Sequence, residues 1–554
     1  MAFPARADYH YASHQGSDQY PYTSWETAAD SIQKAVDATD PHDTVYVGSG
    51  DWYQYVQTGV YDSVSIIGMG TDSTFCHYDS THGSIFSIDY YSSVEAITFS
   101  GAPTACIYAE VYADVTIRDC RFLNANRGIG AAGYPVIIED CIFDNCGTAI
   151  ESAVGGEFHI SNNLVLGCYD QWAIRLVVHS ALVQNNIIIN QPGAHVSGIN
   201  SSAISGQAIV RNNIVANGNY GITVDAELEY NNIVDSSRWQ GMGIGYQDVH
   251  YNNSLSNCGY GVEINDDYST LNYNNYWNNG VDFLDNGREF DSTGNIFCNP
   301  MYVSDDDYHL QAFSPLIDAG DPDYLDFDGT RSDIGAYGGP YGESYLYQDL
   351  PPHIPDNLSG EFIEDTIILN WRYNTEADFS HYLLHRDTVS GFEPSEFNLI
   401  AYPDTSYYAD TDVDIDRDYF YRIASADSQG NMSDYSEELG ILSTGIGDER
   451  GTAPPQVSSI RGNYPNPFNS STTIVYYVAD LGPVPARIEI DIYDIAGRKV
   501  RNLVNERRNI GEHRMVWDGR DDQGHGCATG IYFARITQWG FDLLGKPRKL
   551  VLIK

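Results

Sequence analysis

The sequence predicts an all-β protein in which a parallel β-solenoid is followed by two small β-sandwich domains. The first observation is a residue pair, Asn-Asn or Asp-Cys, that recurs eight times at intervals of 19 to 27 residues. The pairs are Asp119-Cys120, Asp140-Cys141, Asn162-Asn163, Asn185-Asn186, Asn212-Asn213, Asn231-Asn232, Asn252-Asn253 and Asn274-Asn275. Such a period is too short for helical hairpins or propeller blades and suits one coil of a β-solenoid. Because Asn tolerates the left-handed backbone region, a column of these pairs fits a sharp turn repeated on every coil.

A second column of residues repeats in phase with the first. A small residue followed by Ile or Val occurs once between successive pairs, at Gly128-Ile129, Ala149-Ile150, Ala173-Ile174, Gly198-Ile199, Gly221-Ile222, Gly243-Ile244 and Gly261-Val262. Equivalent positions on neighbouring coils of a solenoid lie ~4.8 Å apart. No coil buries its apolar face alone, so two columns of the same period predict a continuous stacked core.

The start of the repeat carries a helix signal. Thr23-Ser24-Trp25-Glu26 has the form of a capping box, and it predicts a helix whose apolar face is Ala28, Ile32, Ala35 and Val36. A helix at this place would cover the first coil and protect its strand edges from pairing with other chains.

Four segments together point to a family. Gly16-Ser17-Asp18, the predicted helix, the alternating run 43–47 and the closing segment 314–337 resemble the secreted right-handed parallel β-helix proteins of the pectate-lyase-like superfamily. The resemblance implies a domain over residues 8–342. It implies a fold and no single activity, because that superfamily contains lyases, hydrolases, epimerases and adhesins.

The pattern changes after Pro351-Pro352, where short alternating strands begin. Trp371 on an early strand and the tyrosines of the run 419–421 on a late strand predict a small β-sandwich. Residues 343–442 resemble a fibronectin type III module, which implies a spacer without catalytic function.

The last part of the chain resembles the C-terminal sorting domain of the type IX secretion system. Residues 443–460 are rich in Gly, Ser, Thr and Pro and predict a flexible linker. The resemblance rests on the runs 463–469, 488–498 and 517–521 and covers residues 461–554, an immunoglobulin-like sandwich. It implies that the secretion machinery is a partner, and that the protein is exported to the outer cell surface of a Gram-negative-type bacterium. Residues 1–7 are interpreted as the tail of a signal peptide or as a disordered terminus.

Composition excludes some partners. The 76 acidic residues exceed the 29 basic ones, and the formal charge of -47 repels nucleic acid and anionic membranes. No run of 18 apolar residues is present, so no transmembrane segment is expected. The nine cysteines contain no CxxC pair and suit buried ladder positions, although a bridge such as Cys120–Cys141 remains possible.

The best candidate catalytic site lies on the position that follows the Ile column. Glu151, Arg175 and Asn200 should be neighbours there on an outward-facing sheet. A β-helix lyase needs a base beside a group that neutralises the substrate carboxylate, and Arg175 would be that base because Lys34 is the only lysine between residues 8 and 340. An ordinary solvated ion pair is the alternative reading of the same residues.

Two further groups of residues follow the same repeat or its end. Tyr230, Tyr251 and Tyr273 each precede an Asn pair, and strand alternation predicts that they stack inside the core rather than bind sugars. A group of acids after the repeat offers oxygen ligands for a structural Ca²⁺, the one cofactor considered. These residues are Asp321, Asp323, Asp326 and Asp328.

Two functions fit these observations. The first is a secreted, surface-displayed protein that binds polysaccharide or a cell-surface glycan, or that acts as an adhesion or structural platform. The alternative is an enzyme acting on an acidic extracellular glycan, more readily a polysaccharide lyase than a glycoside hydrolase. The scarcity of lysine favours the first, and the negative solenoid would repel an acidic glycan unless Ca²⁺ bridged them.

Overall fold

Successive coils of the chain form a three-sided parallel β-solenoid. The computed structural model describes all residues except 1–7, 60–62, 111–113, 133–134, 153–154, 194, 204–206, 226–227, 246–247, 266, 289, 364, 443–457, 467, 480–485, 496–497, 539–540, 543–546 and 554. The signal-peptide interpretation of residues 1–7 and most of the predicted linker therefore lie outside the described residues. We name the three sheets A, B and C in the order in which the chain visits them.

Neighbouring strands within each sheet are parallel and come from consecutive coils. Sheet A consists of Tyr9–Ala12, Thr44–Val47, Ser65–Gly68, Ser93–Glu95, Val115–Arg118, Val136–Glu139, Glu157–Ser161, Ser180–Gln184, Ala208–Arg211, Leu228–Tyr230, Val249–Tyr251 and Thr270–Asn272. Sheet B consists of Gly50–Tyr53, Thr74–His77, Thr98–Ser100, Arg121–Leu123, Ile142–Asp144, Leu164–Leu166, Ile187–Ile189, Ile214–Ala216, Ile233–Asp235, Ser254–Ser256 and Asn275–Trp277. Sheet C consists of Val56–Gln57, Ser84–Ile88, Ala105–Ala109, Arg127–Ala131, Thr148–Ser152, Trp172–Val178, Ser197–Ala203, Tyr220–Asp225, Gln240–Ile244, Tyr260–Ile264 and Val281–Leu284.

The interior of the solenoid is a continuous stack of apolar side chains. Phe99, Phe122 and Phe143 of sheet B form a column with ring centroids 5.4 and 4.8 Å apart. All three rings are fully buried, as are Ile129, Ile150, Ile174, Ile199 and Ile222 of the second predicted column. The expected stacked core is confirmed.

The predicted cap helix is present but begins later than the capping box indicates. The helix spans Ile32–Val36, and the Ser31 side chain is its N-cap because it accepts a hydrogen bond from the backbone N–H of Lys34. The predicted capping box instead forms a turn in which the Ser24 hydroxyl accepts from the backbone N–H of Thr27. Ile32, Ala35 and Val36 are buried against the first coils.

The Asn pairs occupy the turn between sheets A and B. The first member of each pair has a positive φ, between 49° and 57°, from Asp119 to Asn252. The second member is buried. Where it is Asn, its side-chain oxygen accepts from the backbone N–H of the corresponding residue one coil earlier, as Asn213 does from Asn186. On the last coil Tyr273 takes the left-handed position, so the structural pair there is Tyr273-Asn274 rather than Asn274-Asn275.

The predicted second column is wrong by two residues at one coil. Ile222 is in register with Met242, and Met242 with Val262, so Gly241-Met242 takes the place predicted for Gly243-Ile244. The outward position on that coil is therefore Gly243 and not Gly245. If the preceding turn were two residues longer, Gly243-Ile244 would occupy the column. The sequence spacing fits both arrangements, and only the strand register distinguishes them.

The segment that follows the last coil folds back over the solenoid. It begins with an antiparallel hairpin, Tyr302–Ser304 and Asp307–Leu310, and continues to residue 342. The Asn212 side chain donates to the carbonyl oxygens of Ala336 and Gly338 at 2.9 and 2.8 Å. The segment therefore covers the outside of the A–B corner on the later coils. We call residues 311–342 the cover segment.

The tyrosine column lies beneath this cover segment and not in the core, which corrects the sequence prediction. Tyr230 and Tyr251 stack at 4.8 Å with nearly parallel rings, and Tyr324 of the cover segment stacks on Tyr251 at 4.7 Å. The residues before them, Glu229 and His250, are in register with Val210 and point inward, where both are fully buried. Nδ1 of His250 lies 2.6 Å from the Glu229 carboxylate.

The next domain is a seven-stranded antiparallel β-sandwich. One sheet contains Ser359–Ile363, Thr366–Asn370 and Tyr407–Asp410; the other contains Leu399–Ala401, Phe379–Asp387, Tyr419–Asp427 and Leu439–Ile441. Trp371 packs edge-on against Tyr382 at 5.3 Å in the core, and Tyr421 is fully buried. The predicted sandwich is confirmed.

The chain from residue 444 onward is a separate compact unit, also an antiparallel β-sandwich. Its strands are Ser459–Tyr464, Thr472–Val478 and Gly511–Trp517 in one sheet, and Ala486–Asp494, Lys499–Arg508, Gly530–Gln538, Phe541–Asp542 and Arg548–Leu552 in the other. Phe468, Trp517 and Tyr532 lie in its core.

All nine cysteines are unbridged thiols, and eight of them are buried. Burial raises the pKa of the Cys146 thiol to about 11 and that of Cys258 to about 12, so these groups are inert apolar fillers of the stack. Among the described residues, no helix has the length and apolarity needed to cross a membrane.

Candidate functional site

The predicted row on sheet C is continuous. Glu151 is in register with Arg175, and Arg175 with Asn200, so the three residues are neighbours on consecutive coils. The side chain of Arg175 is 48% exposed, which confirms that the row faces outward. The row continues through Thr223 to Gly243.

Two arginines share the Glu151 carboxylate, whereas the other carboxylate of the row, Glu263, lies beyond Gly243. Nη1 of Arg175 lies 3.1 Å from Oε1 of Glu151, and Nε of Arg127 contacts Oε2 of the same group. The predicted row consists of the residues that directly follow the Ile column. Arg127 precedes that column by two residues, so the prediction missed it. A guanidinium held in an ion pair donates hydrogen bonds and has no acceptor, so the arrangement suits recognition better than proton abstraction.

Aromatic side chains line the edge of sheet C where its strands begin. We call Trp172, Tyr220, Trp239 and Tyr260 the aromatic edge. Tyr220 and Tyr260 are both in register with Gln240, and Trp172 is in register with Ser197 one coil before Tyr220. The exposed fractions are 47% for Trp239 and 38% for Tyr220.

Small and compact residues between these rings bring the rings together. Ser197 is buried and small, and across it the rings of Trp172 and Tyr220 approach to 6.3 Å. On the next coil the Gln240 side chain lies over Gly243, where an added Cβ would come within 2.4 Å of its amide nitrogen. A larger residue at 243 would therefore displace the Gln240 amide from this position.

The aromatic edge and the charged row form one face. Exposed rings offer flat apolar surfaces, and the guanidinium and amide groups beside them offer hydrogen bonds at a repeat of ~4.8 Å per coil. Such a face suits a linear ligand with alternating apolar and hydroxyl surfaces. Trp172, Tyr220 and Tyr260 each precede the apolar column by two residues, which is the offset of Arg127 as well. This constant offset was a signal in the sequence that the prediction of the outward row did not use. Only Trp239 comes from a different offset, directly before Gln240.

The proposed calcium residues do not converge. Asp326 accepts from the backbone N–H groups of Asp333 and Gly339, and Asp328 accepts from the backbone and hydroxyl of Thr330 within its own turn. Among the described residues, the group of acids close enough to share a metal ion is a different one and contains none of Asp321, Asp323, Asp326 and Asp328. Asp321, Asp326 and Asp328 thus accept backbone hydrogen bonds within the cover segment, which is the ordinary role of Asp in turns.

Comparison with known proteins gives partial matches. A family model described as Adenovirus EB1 55K protein / large t-antigen matches residues 59–219, and one described as FlgD Ig-like domain matches residues 482–540. Each covers less than half of the chain. The second match lies in the last sandwich and agrees with an immunoglobulin-like domain there. No curated protein matches the chain.

Solved structures are similar only at low scores. The complex of XylC with xylose has 10% identity and a TM-score of 0.38, covering 66% of this chain and 89% of that one. Dimeric latent PorU from Porphyromonas gingivalis has 15% identity and a TM-score of 0.19, covering 38% and 21%. A two-domain fibronectin type III segment of chicken tenascin has 17% identity and a TM-score of 0.14, covering 36% and 100%.

Proposed function

We propose that this protein binds a polysaccharide along sheet C of its solenoid. The observation that carries the proposal is the aromatic edge, in which the exposed rings of Tyr220 and Trp239 and the half-buried rings of Trp172 and Tyr260 line the edge of the sheet that carries Arg175 and Asn200. Aromatic rings contribute large, rigid contact area at low entropic cost, and the adjacent polar groups fix the orientation of a hydroxyl-rich ligand.

The charge of the chain favours a neutral polysaccharide over an acidic one. The formal charge of -47 repels polyanions over about a Debye length, ~8 Å at physiological ionic strength. The local charge of the row is offset, because Glu151 pairs with both Arg127 and Arg175. Stacking and neutral hydrogen bonds, rather than charge attraction, would therefore supply the affinity.

The other domains fit display of this face at a cell surface. The fibronectin-like sandwich serves as a spacer, and the last sandwich, by its resemblance to a type IX sorting domain, directs export and attachment. Residues 451–554 carry 14 basic against 10 acidic residues, unlike the rest of the chain. The proposed location is the outer surface of a Gram-negative-type bacterium.

Removal of single rings tests the binding face. Trp172→Ala and Trp239→Ala should each weaken binding to an immobilised neutral polysaccharide about two- to twelve-fold, from about 0.5–1.5 kcal/mol per aromatic contact. Binding is measured by affinity electrophoresis against a panel that includes xylan, mannan, β-glucan and cellulose, with pectin and alginate as acidic members.

Trp25→Ala is the matched control, because Trp25 is a comparably exposed tryptophan, 40%, on the N-terminal turns. It should bind as the wild-type protein does. If no member of the panel binds, or if Trp25→Ala weakens binding as much as Trp239→Ala, sheet C is not the binding face.

One observation supports the lyase alternative: Arg175 is exposed and lies beside Glu151 and Asn200. If Arg175 is a general base, Arg175→Ala should lower the appearance of 235 nm absorbance from an acidic glycan at least ~10²-fold. Arg118→Ala is the matched control, because Arg118 pairs with Glu95 on sheet A and its side chain is 49% exposed. Without any 235 nm product from the wild-type protein, with and without Ca²⁺, the lyase hypothesis is rejected.

A further inference from the structure

Three carboxylates meet where the solenoid passes into the first sandwich. Among the described residues, Asp349, Asp378 and Asp427 have carboxylate oxygens that all lie within 4.8 Å of one another. Asp349 belongs to the segment that leaves the cover segment, Asp378 immediately precedes the strand Phe379–Asp387, and Asp427 ends the strand Tyr419–Asp427. Three separate parts of the chain therefore contribute to one cluster.

Two of the three carboxylates are held in position by the surrounding loop. Oδ1 of Asp427 accepts from the backbone N–H groups of Gln429, Gly430 and Asn431 at 2.9, 2.7 and 2.8 Å. The Asn431 side chain donates to Asp427 and to Asp349, both at 2.9 Å. The exit segment and the sandwich loop are thus already tied together, with oxygen lone pairs left over.

Asp378 is the residue that points to a ligand. It is only 9% exposed, and within the described part of the chain its carboxylate accepts no hydrogen bond from another residue. Burial and the nearby charge of Asp427 raise its pKa. None of the three acids forms an ion pair with a described Lys, Arg or His. The one described hydrogen-bond donor to this carboxylate is the backbone N–H of Asp378 itself. A buried carboxylate with a single donor is costly unless a positive charge neutralises it.

We propose that Asp349, Asp378 and Asp427 bind one Ca²⁺ that fastens the exit segment of the solenoid to the sandwich. Two ligands that are each about 2.4 Å from one ion lie at most about 4.8 Å apart, which matches the spread of these oxygens. A set of oxygens without His or Cys selects a hard cation. Asp349 is exposed, so water can complete a shell of six to eight ligands, whereas Mg²⁺ demands a stricter octahedron.

The proposal goes beyond polysaccharide binding and does not depend on it. The three acids share no residue with the aromatic edge or with the charged row on sheet C. Loss of calcium binding would therefore leave the proposed function standing, and loss of polysaccharide binding would leave the calcium site standing.

Asp378→Asn tests the site in the full-length protein. Asn keeps the shape of the side chain, and no hydrogen bond to the carboxylate is lost. Titration of the EDTA-treated chain with CaCl₂ in a calorimeter should give one fewer bound ion for Asp378→Asn than for the wild type. Asp349→Asn, at an exposed position, should lose the same ion.

Thermal unfolding distinguishes a calcium ligand at position 378 from a residue that only supports the fold. In EDTA, Asp378→Asn should unfold at a temperature equal to or above that of the wild type, because one repulsive charge is gone. In 10 mM CaCl₂ the order should reverse. For a Kd of about 10⁻⁴–10⁻³ M, that concentration raises the folded-to-unfolded ratio of the wild type about 10- to 100-fold.

Asp323→Asn is the control, since it removes an exposed acid of the cover segment and should respond to Ca²⁺ as the wild type does. The proposal is overturned if Ca²⁺ stabilises Asp378→Asn as much as the wild type. It is also overturned if 10 mM MgCl₂ stabilises the wild type equally, or if Asp378→Asn is the less stable protein in EDTA.

Discussion

Asn213 is the residue whose removal tests the solenoid most directly. Its Oδ1 accepts from the backbone N–H and the side-chain amide of Asn186 at 3.1 and 2.9 Å. Its Nδ2 donates to the carbonyl of Val183 at 2.9 Å and to Oδ1 of Asn232 at 3.0 Å. The side chain is fully buried, so no water replaces these partners in the folded state.

Asn213→Ala leaves the backbone N–H of Asn186 without its acceptor, which costs about 1–3 kcal/mol for a buried donor. The lost hydrogen bond to Val183 adds about 1 kcal/mol. The free energy of opening this turn should therefore fall by about 2–4 kcal/mol. At about 1.4 kcal/mol per factor of ten, amide exchange should become roughly 30- to 1,000-fold faster.

Hydrogen–deuterium exchange with mass spectrometry is the suitable assay, because a chain of several domains does not unfold as one unit. The acceleration should appear in peptides covering residues 183–189 and 210–216. Asn278→Gly is the control: Asn278 is exposed, has φ 52° and donates to Asn257 on its neighbouring coil. Glycine adopts that φ readily, so exchange should change little. Unchanged exchange at 183–189 in Asn213→Ala would refute the role given to the ladder.

Two further predictions follow from charge and domain organisation. Burial and the neighbouring charge of Asp333 raise the pKa of Asp326 from 3.8 to about 7. Proton binding by Asp326 therefore stabilises the folded state fully below about pH 4, and this stabilisation is lost as the pH rises through 7. Asp326→Asn should therefore reduce the difference in unfolding temperature between pH 5 and pH 8, measured by calorimetry, whereas the exposed Asp328→Asn should not. Deletion of residues 455–554 should abolish surface display, measured by antibody labelling of intact cells, and leave polysaccharide binding unchanged; lost binding with normal display would reverse the assignment.

The solenoid could be predicted from local rules that act on every coil. A left-handed turn favours Asn or Asp whatever the neighbouring coils contain, so the pairs from Asp119 to Asn252 recur visibly in the sequence. The stacked core likewise needs an apolar residue at the same place on each coil, which the Ile column supplies. The charged row on sheet C follows from the same register, and Glu151, Arg175 and Asn200 are neighbours as predicted.

Tertiary contacts decided which side chains leave this pattern. Strand alternation placed Tyr230 and Tyr251 in the core, but the cover segment buries them from outside and leaves Glu229 and His250 to face inward as a buried pair. A sequence records that a residue is apolar, and it does not record whether the surface that covers it lies inside the coil or in a segment a hundred residues later.

The sequence by itself therefore determined the parallel solenoid, the two sandwiches and the outward row, because each depends on short-range periodicity. The aromatic edge also follows this periodicity in part, because Trp172, Tyr220 and Tyr260 share one offset from the apolar column. The tertiary structure decided the acidic cluster. Asp349, Asp378 and Asp427 belong to segments that only the packing of the sandwich on the exit segment brings together. Chemistry assembled from distant segments has no period, so it becomes visible only when register and long-range packing are known.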